Sequence, residues 1–313
     1  MEKSFDLICI GMALVDSLIR GFDPEPVSAS GYRAESGTLS AGGEAVNEAV
    51  AAAKLGMRTA VFCALGDDGA GTLVRSALER NGVDTRFVKT APQTPVTTMF
   101  VRADGTRKSI TNLAHRYNFH PEKDPGRFTD ARAVLLGSLF RAPFDDPEII
   151  YSVVRAAKEA GELVAADTKL PNFRKLKPDD IRGTLPMIDY LTPNEDEAKY
   201  LTGREDPEEM ADALLAYGVK NEIIKLGSAG CCMKNADGFI RLPAADVRAV
   251  DATGAGDNFA AGFISEILRG AKPEEALDFA NACGAICATA VGACTALKDR
   301  AQVLALLERG KGG

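Results

Sequence analysis

The stretch of the chain best suited to chemistry is Asp251-Ala252-Thr253-Gly254-Ala255-Gly256-Asp257, in which two glycines closely precede a carboxylate. The glycines permit a tight turn that leaves backbone N–H groups free to face an anion, and a helical pattern begins directly after them. The positive end of that helix dipole would favour a phosphate at the same place. A carboxylate there would repel a phosphate, so the useful role of Asp257 is to take a proton from an attacking hydroxyl. The heptapeptide predicts a phosphoryl-transfer site, with Asp257 as general base and the turn at Gly254, Ala255 and Gly256 stabilising the transferred charge.

Other interpretations of the same heptapeptide are open. A Gly-Ala-Gly turn with Asp as a cap also closes an ordinary helix N-terminus. A dinucleotide-binding fingerprint needs a third glycine, but Phe259 occupies that position. No Gly-Lys-Ser or Gly-Lys-Thr occurs in the sequence, which excludes a Walker loop. A second feature is needed to decide between a structural cap and a phosphate site.

That second feature is a double glycine that runs into an Ala-rich helical pattern, over residues 41–55. Gly42 and Gly43 allow a ligand to touch the backbone, and Asn47, one turn into the helix, offers a donor and an acceptor to a polyol. Together with the heptapeptide, this segment resembles the two signatures of the PfkB, or ribokinase-like, carbohydrate kinase family. The resemblance covers most of the chain, and the matching segments follow in the family's order at residues 11–16, 42–43, 66–71, 193–197, 225–227 and 251–257.

The strands and helices that must position these residues alternate regularly along the sequence. Short apolar runs alternate with helical patterns from residue 5 to residue 226, which predicts an α/β fold with a mostly parallel sheet covered on both faces. Residues 14–40 and 96–111 lack helical periodicity. The second segment is predicted to form a hairpin that closes at 103–105. The resemblance implies a ribokinase-like three-layer α/β/α sandwich. It also implies that the two irregular segments form a small β-sheet lid over the sugar, within a single domain spanning residues 1–313.

Composition excludes several function classes. The net charge of −7 comes from 37 basic and 44 acidic residues spread along the chain, so neither a nucleic acid nor an anionic membrane is expected as a partner. No apolar stretch is long enough to span a bilayer. Seven cysteines without a Cys-x-x-Cys pair, and no signal peptide, predict free thiols in the reducing cytoplasm.

At the acceptor end of the site, the resemblance implies that Asp16 is the family's sugar-binding aspartate, which accepts hydrogen bonds from two neighbouring hydroxyls. Phe140 is expected at or near the place where ribokinases often carry a glutamate that reaches the sugar. Fructokinases and ketodeoxygluconate kinases usually show Asp-Pro-Asn-x-Arg where this chain has residues 167–171. Both departures weaken the assignment of any particular sugar. The residues expected to bind the acceptor are Asp16, Gly42, Gly43, Asn47 and Phe140.

At the nucleotide end, Asn194 and Glu197 occupy an Asn-x-x-Glu motif that lies near the phosphates and Mg²⁺ in the family. Glu197 would hold Mg²⁺ through water, although an Asn and a Glu that open a helix also serve as its cap. Lys225 ends a strand just before Gly227, where the family places a residue that faces the nucleotide. Lys169 closes another parallel strand, at the sheet edge where ligands bind in open α/β folds, and would reach the phosphates or the substrate.

The resemblance implies three further features of the molecule. Asn281 matches a family position close to the adenine. Family members often bind K⁺ through backbone oxygens near the last motif, so the carbonyls around Asp251 and Thr253 are candidates. Pairing of lids between two copies would give a homodimer.

The function implied is ATP-dependent, Mg²⁺-assisted phosphorylation of a hydroxyl on a small sugar or related polyol. A nucleoside kinase of the same fold would share the catalytic residues and differ in the aromatic side chain that stacks on the base, for which Phe100, Tyr117 and Phe140 are candidates. A non-catalytic sugar-sensing protein of this fold is the other alternative, against which the intact Asp257 and its two preceding glycines argue.

Overall fold

A computed structural model of the chain describes residues 3–21, 33–102, 106–112 and 119–311. The predicted hairpin tip at 103–105, the stacking candidate Tyr117 and the middle of the predicted lid segment 14–40 lie outside these ranges. Within them, no helix is long and apolar enough to cross a membrane.

Strands and helices alternate through most of the chain. The strands are β1 (Phe5–Ile10), β2 (Leu14–Arg20), β3 (Ser36–Gly42), β4 (Thr59–Phe62), β5 (Ala64–Gly66), β6 (Lys89–Ala91), β7 (Val96–Val101), β8 (Arg107–Thr111), β9 (Ala131–Leu139), β10 (Leu163–Thr168), β11 (Tyr190–Thr192), β12 (Asn221–Lys225), β13 (Cys231–Asn235) and β14 (Gly238–Leu242). The helices are α1 (Glu44–Lys54), α2 (Gly69–Arg80), α3 (Pro147–Glu159), α4 (Glu195–Thr202), α5 (Pro207–Leu215), α6 (Ala255–Leu268), α7 (Pro273–Cys287) and α8 (Arg300–Lys311).

The large sheet has eight strands in the order β14-β13-β12-β11-β10-β9-β1-β4. Pairing is parallel from β4 through β12 and antiparallel for β13 and β14 at the end. The carboxyl ends of the parallel strands therefore meet at one edge of the sheet, where ligands bind in open α/β folds. Thr168 and Lys225 end two of these strands, so that edge carries the predicted nucleotide residues.

Side chains of the central strands alternate between two hydrophobic cores, as the two-residue period of a strand requires. In β1, Leu7 and Cys9 pack into the core that contains α1, α6 and α7, whereas Ile8 and Ile10 pack into the core that contains α3. Helices thus cover both faces of the sheet. The predicted three-layer α/β/α sandwich is confirmed.

A second sheet contains four strands in the order β3-β2-β7-β8. The β7–β8 pair is antiparallel, as predicted for a hairpin, and β2 joins the two halves by pairing with β3 and β7. All four strands lie in or directly beside the segments predicted to form the lid. Because β2 follows β1 closely and β3 leads directly into α1, this sheet adjoins the carboxyl edge of the large sheet.

Candidate active site

A cavity of about 700 Å³ opens between the small sheet and the carboxyl edge of the large sheet. The predicted site residues that line it are Asp16, Gly43, Asn47, Lys169, Asn194, Glu197, Lys225, Thr253, Gly254, Gly256 and Asp257. Predicted residues outside its lining are Gly42, Phe140, Gly227, Asp251, Ala255 and Asn281. Segments from both ends of the sequence therefore share one cavity.

The turn before α6 depends on its glycines. Gly254 is the N-cap of α6 and has a left-handed backbone with φ of 79°. A β-carbon on it would lie 2.3 Å from the β-carbon of Ala293, so both conformation and space require glycine. A β-carbon on Gly256 would lie 3.1 Å from Lys225 Nζ, which shows how near this lysine lies to the start of α6. First-turn N–H groups of a helix have no intrahelical acceptor, so this turn provides an anion site next to an ammonium group.

Asp257 lies in the first turn of α6 and is 8% exposed. Its Oδ2 accepts a hydrogen bond of 2.7 Å from Asn47 Nδ2, which fixes the carboxylate relative to α1. Burial raises the pKa of Asp257 to about 7, with the charge of Lys169 opposing the rise and those of Glu44 and Asp167 adding to it. A carboxylate with a pKa near neutrality is suited to take a proton from a hydroxyl.

At the acceptor end, Asp16 extends from β2 into the cavity. A β-carbon on Gly42 would lie 2.1 Å from Asp16 Oδ2, and one on Gly43 would lie 2.5 Å from the carbonyl oxygen of Met12. The double glycine therefore makes room for the aspartate and for the chain after β1. Burial raises the pKa of Asp16 to about 6, and the nearby Glu44 carboxylate contributes to the rise.

Glu44 is a cavity residue that the sequence analysis missed. It begins α1, and its Oε1 lies 2.7 Å from Lys169 Nζ. Burial favours the neutral acid, but the charge of Lys169 and the hydrogen bonds to the carboxylate together outweigh burial and lower the pKa of Glu44 to about 2. The ion pair in turn raises the pKa of Lys169. Lys169 thus lines the cavity, where its ammonium group is already paired with the Glu44 carboxylate.

The predicted nucleotide end of the cavity is built around the ends of β10 and β12. Lys225 Nζ lies 2.5 Å from Asp167 Oδ1, and both side chains are nearly buried. Burial would lower the pKa of Lys225, but the carboxylates of Asp167 and Glu197 outweigh it and raise the pKa. The lysine is therefore a permanently charged group at the cavity wall.

Asn194 and Glu197 form a capping box at the start of α4. Asn194 Oδ1 accepts from the backbone N–H of Glu197, and Glu197 Oε2 accepts from the backbone N–H of Asn194 and from Thr168 Oγ1. Glu197 Oε1 accepts from Asn194 Nδ2. Burial raises the pKa of Glu197, and the charge of Lys225 opposes that rise. The motif therefore caps α4, and the same hydrogen bonds hold the buried carboxylate of Glu197 at the cavity wall.

Comparison with known proteins agrees with this geometry. A model described as the pfkB family of carbohydrate kinases matches residues 6–300. The chain belongs to the pfkB family of carbohydrate kinases. Its enzyme class is accordingly that of a phosphotransferase with an alcohol group as acceptor, and the predicted family and class are confirmed.

Several known pfkB kinases align with nearly the whole of this one. A ribokinase of Haemophilus influenzae is 29% identical over 275 residues, which cover 85% of this chain and 87% of the relative. An ATP-dependent ribose-1-phosphate kinase of Halopiger xanaduensis is 35% identical over 273 residues, which cover 86% and 88%. The structure of Arabidopsis thaliana ribokinase complexed with ribose and ATP superimposes with a TM-score of 0.85 at 29% identity, covering 98% of this chain and 99% of that one. The predicted ribokinase-like fold is confirmed.

The prediction that Phe140 reaches the substrate in this pfkB kinase is wrong. Phe140 is 1% exposed and packs in the core that contains α3. Ser138 and Phe140 both have positive φ, and this kink at the end of β9 places Arg141 rather than Phe140 in the cavity lining. Arg141 Nε donates to the carbonyl oxygen of Leu170 at 2.7 Å. The residue at the cavity wall is therefore one position later in the chain than predicted.

Two of the aromatic residues expected to stack on a base, Phe100 and Phe140, do not line the cavity. Phe140 is in the core, and Phe100 of β7 does not line the cavity, whereas Met99 beside it does. Phe173 lines the cavity and is 44% exposed, and the sequence analysis did not single it out. It is the aromatic ring of the described cavity lining.

The remaining predicted residues of this pfkB kinase have structural partners. Asn281 Nδ2 donates to the carbonyl oxygen of Pro243 at 2.6 Å, and so ties α7 to the segment after β14. Gly227 begins a short turn after β12 with φ of 58°. Asp251 accepts from the N–H and hydroxyl of Thr253 and from the N–H of Gly292, which joins the last motif to the segment before α8.

Proposed function

We propose that this pfkB kinase transfers the γ-phosphoryl group of ATP to a hydroxyl of a small sugar or related polyol, with Asp257 as general base. The observation that carries the proposal is the position of Asp257. It lies at the N-terminus of α6, is held by Asn47, and shares one cavity with Asp16. A base, an anion site and a hydroxyl-binding carboxylate at one place are what phosphoryl transfer to an alcohol requires.

The acceptor would be oriented by Asp16 from the lid and by Gly43 and Asn47 from the start of α1. Asp257 removes the proton of the attacking hydroxyl as its oxygen forms a bond to the γ-phosphorus. The bond between that phosphorus and the β–γ bridging oxygen breaks, and ADP leaves. The proton stays on Asp257 until the product departs, which a pKa near 7 permits.

Charge on the transferring group would be stabilised by the N–H groups of Gly256 and Asp257 and by Lys225. The N–H of Ala255 already donates to the carbonyl oxygen of Ala252 at 3.1 Å. Mg²⁺ brought with ATP supplies further positive charge to the phosphates. Both oxygens of Glu197 already accept hydrogen bonds from protein groups, so this residue suits contact with the ion through water rather than directly.

The expected K⁺ site fits the residues poorly. The carbonyl oxygens of Thr253 and Ala293 both lie 3.4 Å from the thiol of Cys287, so both already have a protein partner. The side-chain oxygens of Asp251 accept hydrogen bonds from protein donors. No step of the proposed reaction therefore runs through K⁺, and the rate should be the same in K⁺ and Na⁺ buffers. Since all seven cysteines are free thiols, we also infer a reducing, cytoplasmic location.

A nucleoside kinase is the second candidate, and Phe173 favours it. This exposed ring on the cavity wall would stack on a base, which a free sugar does not carry. Replacement of Phe173 by Ala should weaken the binding of a nucleoside acceptor strongly and should change the binding of a free sugar little.

The test is a phosphorylation screen with ATP over pentoses, hexoses, sugar acids, ribose 1-phosphate and nucleosides, with Asp257→Asn as the matched control for contaminating kinases. A single preferred acceptor that loses phosphorylation in the variant supports the proposal. Tight sugar binding without ATP consumption would instead show a sugar-sensing protein.

A further inference from the structure

Arg141 is a cation of the cavity wall without a carboxylate partner. It lines the cavity and is half-buried, and no acid of the described residues forms an ion pair with it. The other two cations of the described lining differ from it, because Lys169 lies 2.7 Å from Glu44 and Lys225 lies 2.5 Å from Asp167. Both lysines already have a counterion. Arg141 is therefore the cation that this part of the lining leaves for a ligand.

Two hydrogen bonds fix the position of Arg141. Its backbone N–H donates to the carbonyl oxygen of Ser138 at 2.8 Å, which closes the turn at the end of β9. Its Nε donates to the carbonyl oxygen of Leu170 at 2.7 Å, which ties the guanidinium group to the segment after β10. The terminal nitrogens Nη1 and Nη2 have no acceptor among the described residues. A guanidinium group held at Nε presents these two nitrogens as a fixed fork, which matches two oxygens of a carboxylate or a phosphate.

The segment to which Arg141 is tied adds another donor. Asn172 follows Leu170 closely in the chain and lines the same cavity. Its Oδ1 accepts from the backbone N–H of Phe173 at 2.9 Å, whereas the described residues provide no acceptor for its Nδ2. This amide can add a hydrogen bond to an anion that the fork of Arg141 holds.

The guanidinium group is separate from the start of α6, where phosphoryl transfer is proposed. Arg141 follows β9 and is tied to the segment after β10, whereas Asp257 lies in the first turn of α6. Burial raises the pKa of both Asp16 and Asp257, and Lys169 is the cation whose charge opposes that rise. An acceptor can therefore place its reacting hydroxyl at Asp257 and a different group at Arg141.

We propose that the acceptor of this pfkB kinase carries an anionic group, a phosphate or a carboxylate, which binds to the guanidinium group of Arg141. This inference rests on the proposed function, because it names the class of sugar that the site phosphorylates. Arg141 determines specificity and takes no part in proton or phosphoryl transfer. A neutral sugar would remove water from the guanidinium group without supplying a counter-charge, which is costly. A sugar phosphate or a sugar acid supplies that charge through two oxygens.

The experiment compares acceptors that differ only in the group at one end. Ribose, ribose 1-phosphate and ribonate form one set, and glucose, glucose 1-phosphate and gluconate form another. In both sets the primary hydroxyl at the other end stays available. The wild type should phosphorylate an anionic member with a kcat/KM at least about tenfold above that of the neutral sugar. Preference for the phosphate identifies a sugar phosphate as the acceptor, and preference for the carboxylate identifies a sugar acid.

Variants of Arg141 connect this preference to the side chain. Arg141→Gln should lower kcat/KM for the anionic acceptor by about 10- to 100-fold, through KM, and leave the KM for ATP unchanged. Arg141→Lys keeps the charge but not the fork, so its loss should be smaller. Arg174→Gln is the matched control, because Arg174 lies outside the cavity lining and is paired with Asp146 at 2.5 Å. It should behave as the wild type does.

Calorimetry of the nucleotide-free protein with the same acceptors gives a readout that does not depend on activity. The anionic acceptor should bind more tightly than the neutral sugar, and Arg141→Gln should remove the difference. If Arg141→Gln does not fold, Arg141→Lys takes its place in both measurements. The inference is overturned if the neutral sugar is preferred, if no anionic acceptor binds, or if the Arg141 variant loses affinity for ATP instead.

The two proposals can fail separately. An active kinase that prefers neutral acceptors would refute this inference alone. A protein that binds an anionic sugar through Arg141 but phosphorylates none of the acceptors would refute the proposed function alone.

Discussion

At the scale of single residues, the site depends on side chains whose protonation is set by burial. Asp257 and Asp16 both have raised pKa values, and Lys169 and Lys225 are both charged and both paired. In the proposed reaction, Asp16 belongs to the acceptor end of the cavity and Lys225 to its phosphate end. The roles proposed for the two aspartates differ, and kinetics can separate them.

Asp257→Asn should bind ATP and acceptor nearly as the wild type does, while kcat falls by about 10²-fold or more, because the amide cannot take the proton of the hydroxyl. The side chain keeps its size, and its amide oxygen can still accept from Asn47. Steady-state kinetics at saturating substrates make the measurement. Turnover near that of the wild type would remove Asp257 from the role of base.

Asp16 should make acceptor binding dependent on pH. Its pKa of about 6 means that the carboxylate, which accepts hydrogen bonds from hydroxyls, is present above that pH and is lost below it. The KM for the acceptor should rise by up to about tenfold per pH unit as the pH falls below 6. The measurement follows this KM between about pH 5 and pH 8. Asp16→Asn is the control and should show a high KM without this dependence; an identical profile in the variant would assign the titration elsewhere.

At the scale of elements, the start of α6 combines backbone strain with close packing. Gly254 and Gly270 both have positive φ, 79° and 88°. A β-carbon on Gly254 would lie 2.3 Å from Ala293, whereas one on Gly270 would meet nothing within 4 Å. The two glycines therefore form a matched pair that separates conformational strain from collision.

Gly270→Ala should lose about 1–2 kcal/mol of stability, because an alanine in the left-handed conformation is strained. Its kcat and KM should equal those of the wild type. Gly254→Ala should lose more stability and at least about tenfold in kcat, because the collision displaces the N–H groups that face the phosphoryl group. Chemical denaturation and steady-state kinetics check both. Equal kinetics in the two variants would show that the turn at Gly254 is only a helix cap.

At the scale of the whole molecule, the small sheet has two outer edges with which no other strand of the described residues pairs. β3 and β8 are its outer strands, and they expose Leu39 and Ile110, at 63% and 67%. Exposed apolar edge strands invite pairing with another chain. These edges support the expectation that the lids of two copies associate.

We predict that the wild type sediments as a dimer. The double variant Leu39→Glu/Ile110→Glu should sediment as a monomer. The charges would face each other across the paired edges, and their desolvation would oppose association. Tyr151→Glu, at an exposed apolar position on α3, is the control and should remain dimeric. Analytical ultracentrifugation distinguishes the two masses, and a monomeric wild type at micromolar concentration would contradict the prediction.

The parts of the site that the sequence predicted are those where the backbone itself is constrained. Gly43 and Gly254 stand where φ is positive and a β-carbon would collide, so no other residue type fits and the pattern is visible in the sequence. The alternation of strands and helices was equally visible, because burial on both faces of a parallel sheet gives long apolar runs.

The parts that it could not predict depend on where an ordinary side chain points. Glu44 reads as a typical acidic residue at a helix start, and only the fold places Lys169 beside it. Arg141 lines the cavity in place of Phe140 because of a kink at the end of β9, where the positive φ values fall on the non-glycine residues Ser138 and Phe140. The β13–β14 hairpin was missed because its strands are short and only partly buried.

The hydrogen bond between Asn47 and Asp257 joins residues 210 positions apart. During synthesis, the double glycine and α1 leave the ribosome long before the residue that they must hold in place. A chain that ends anywhere before residue 257 carries Asp16, Gly43 and Asn47 but lacks Asp257, the proposed base. If Asp257 is the base as proposed, the site becomes complete only in the last fifth of translation, and a nascent or truncated chain should not consume ATP through it.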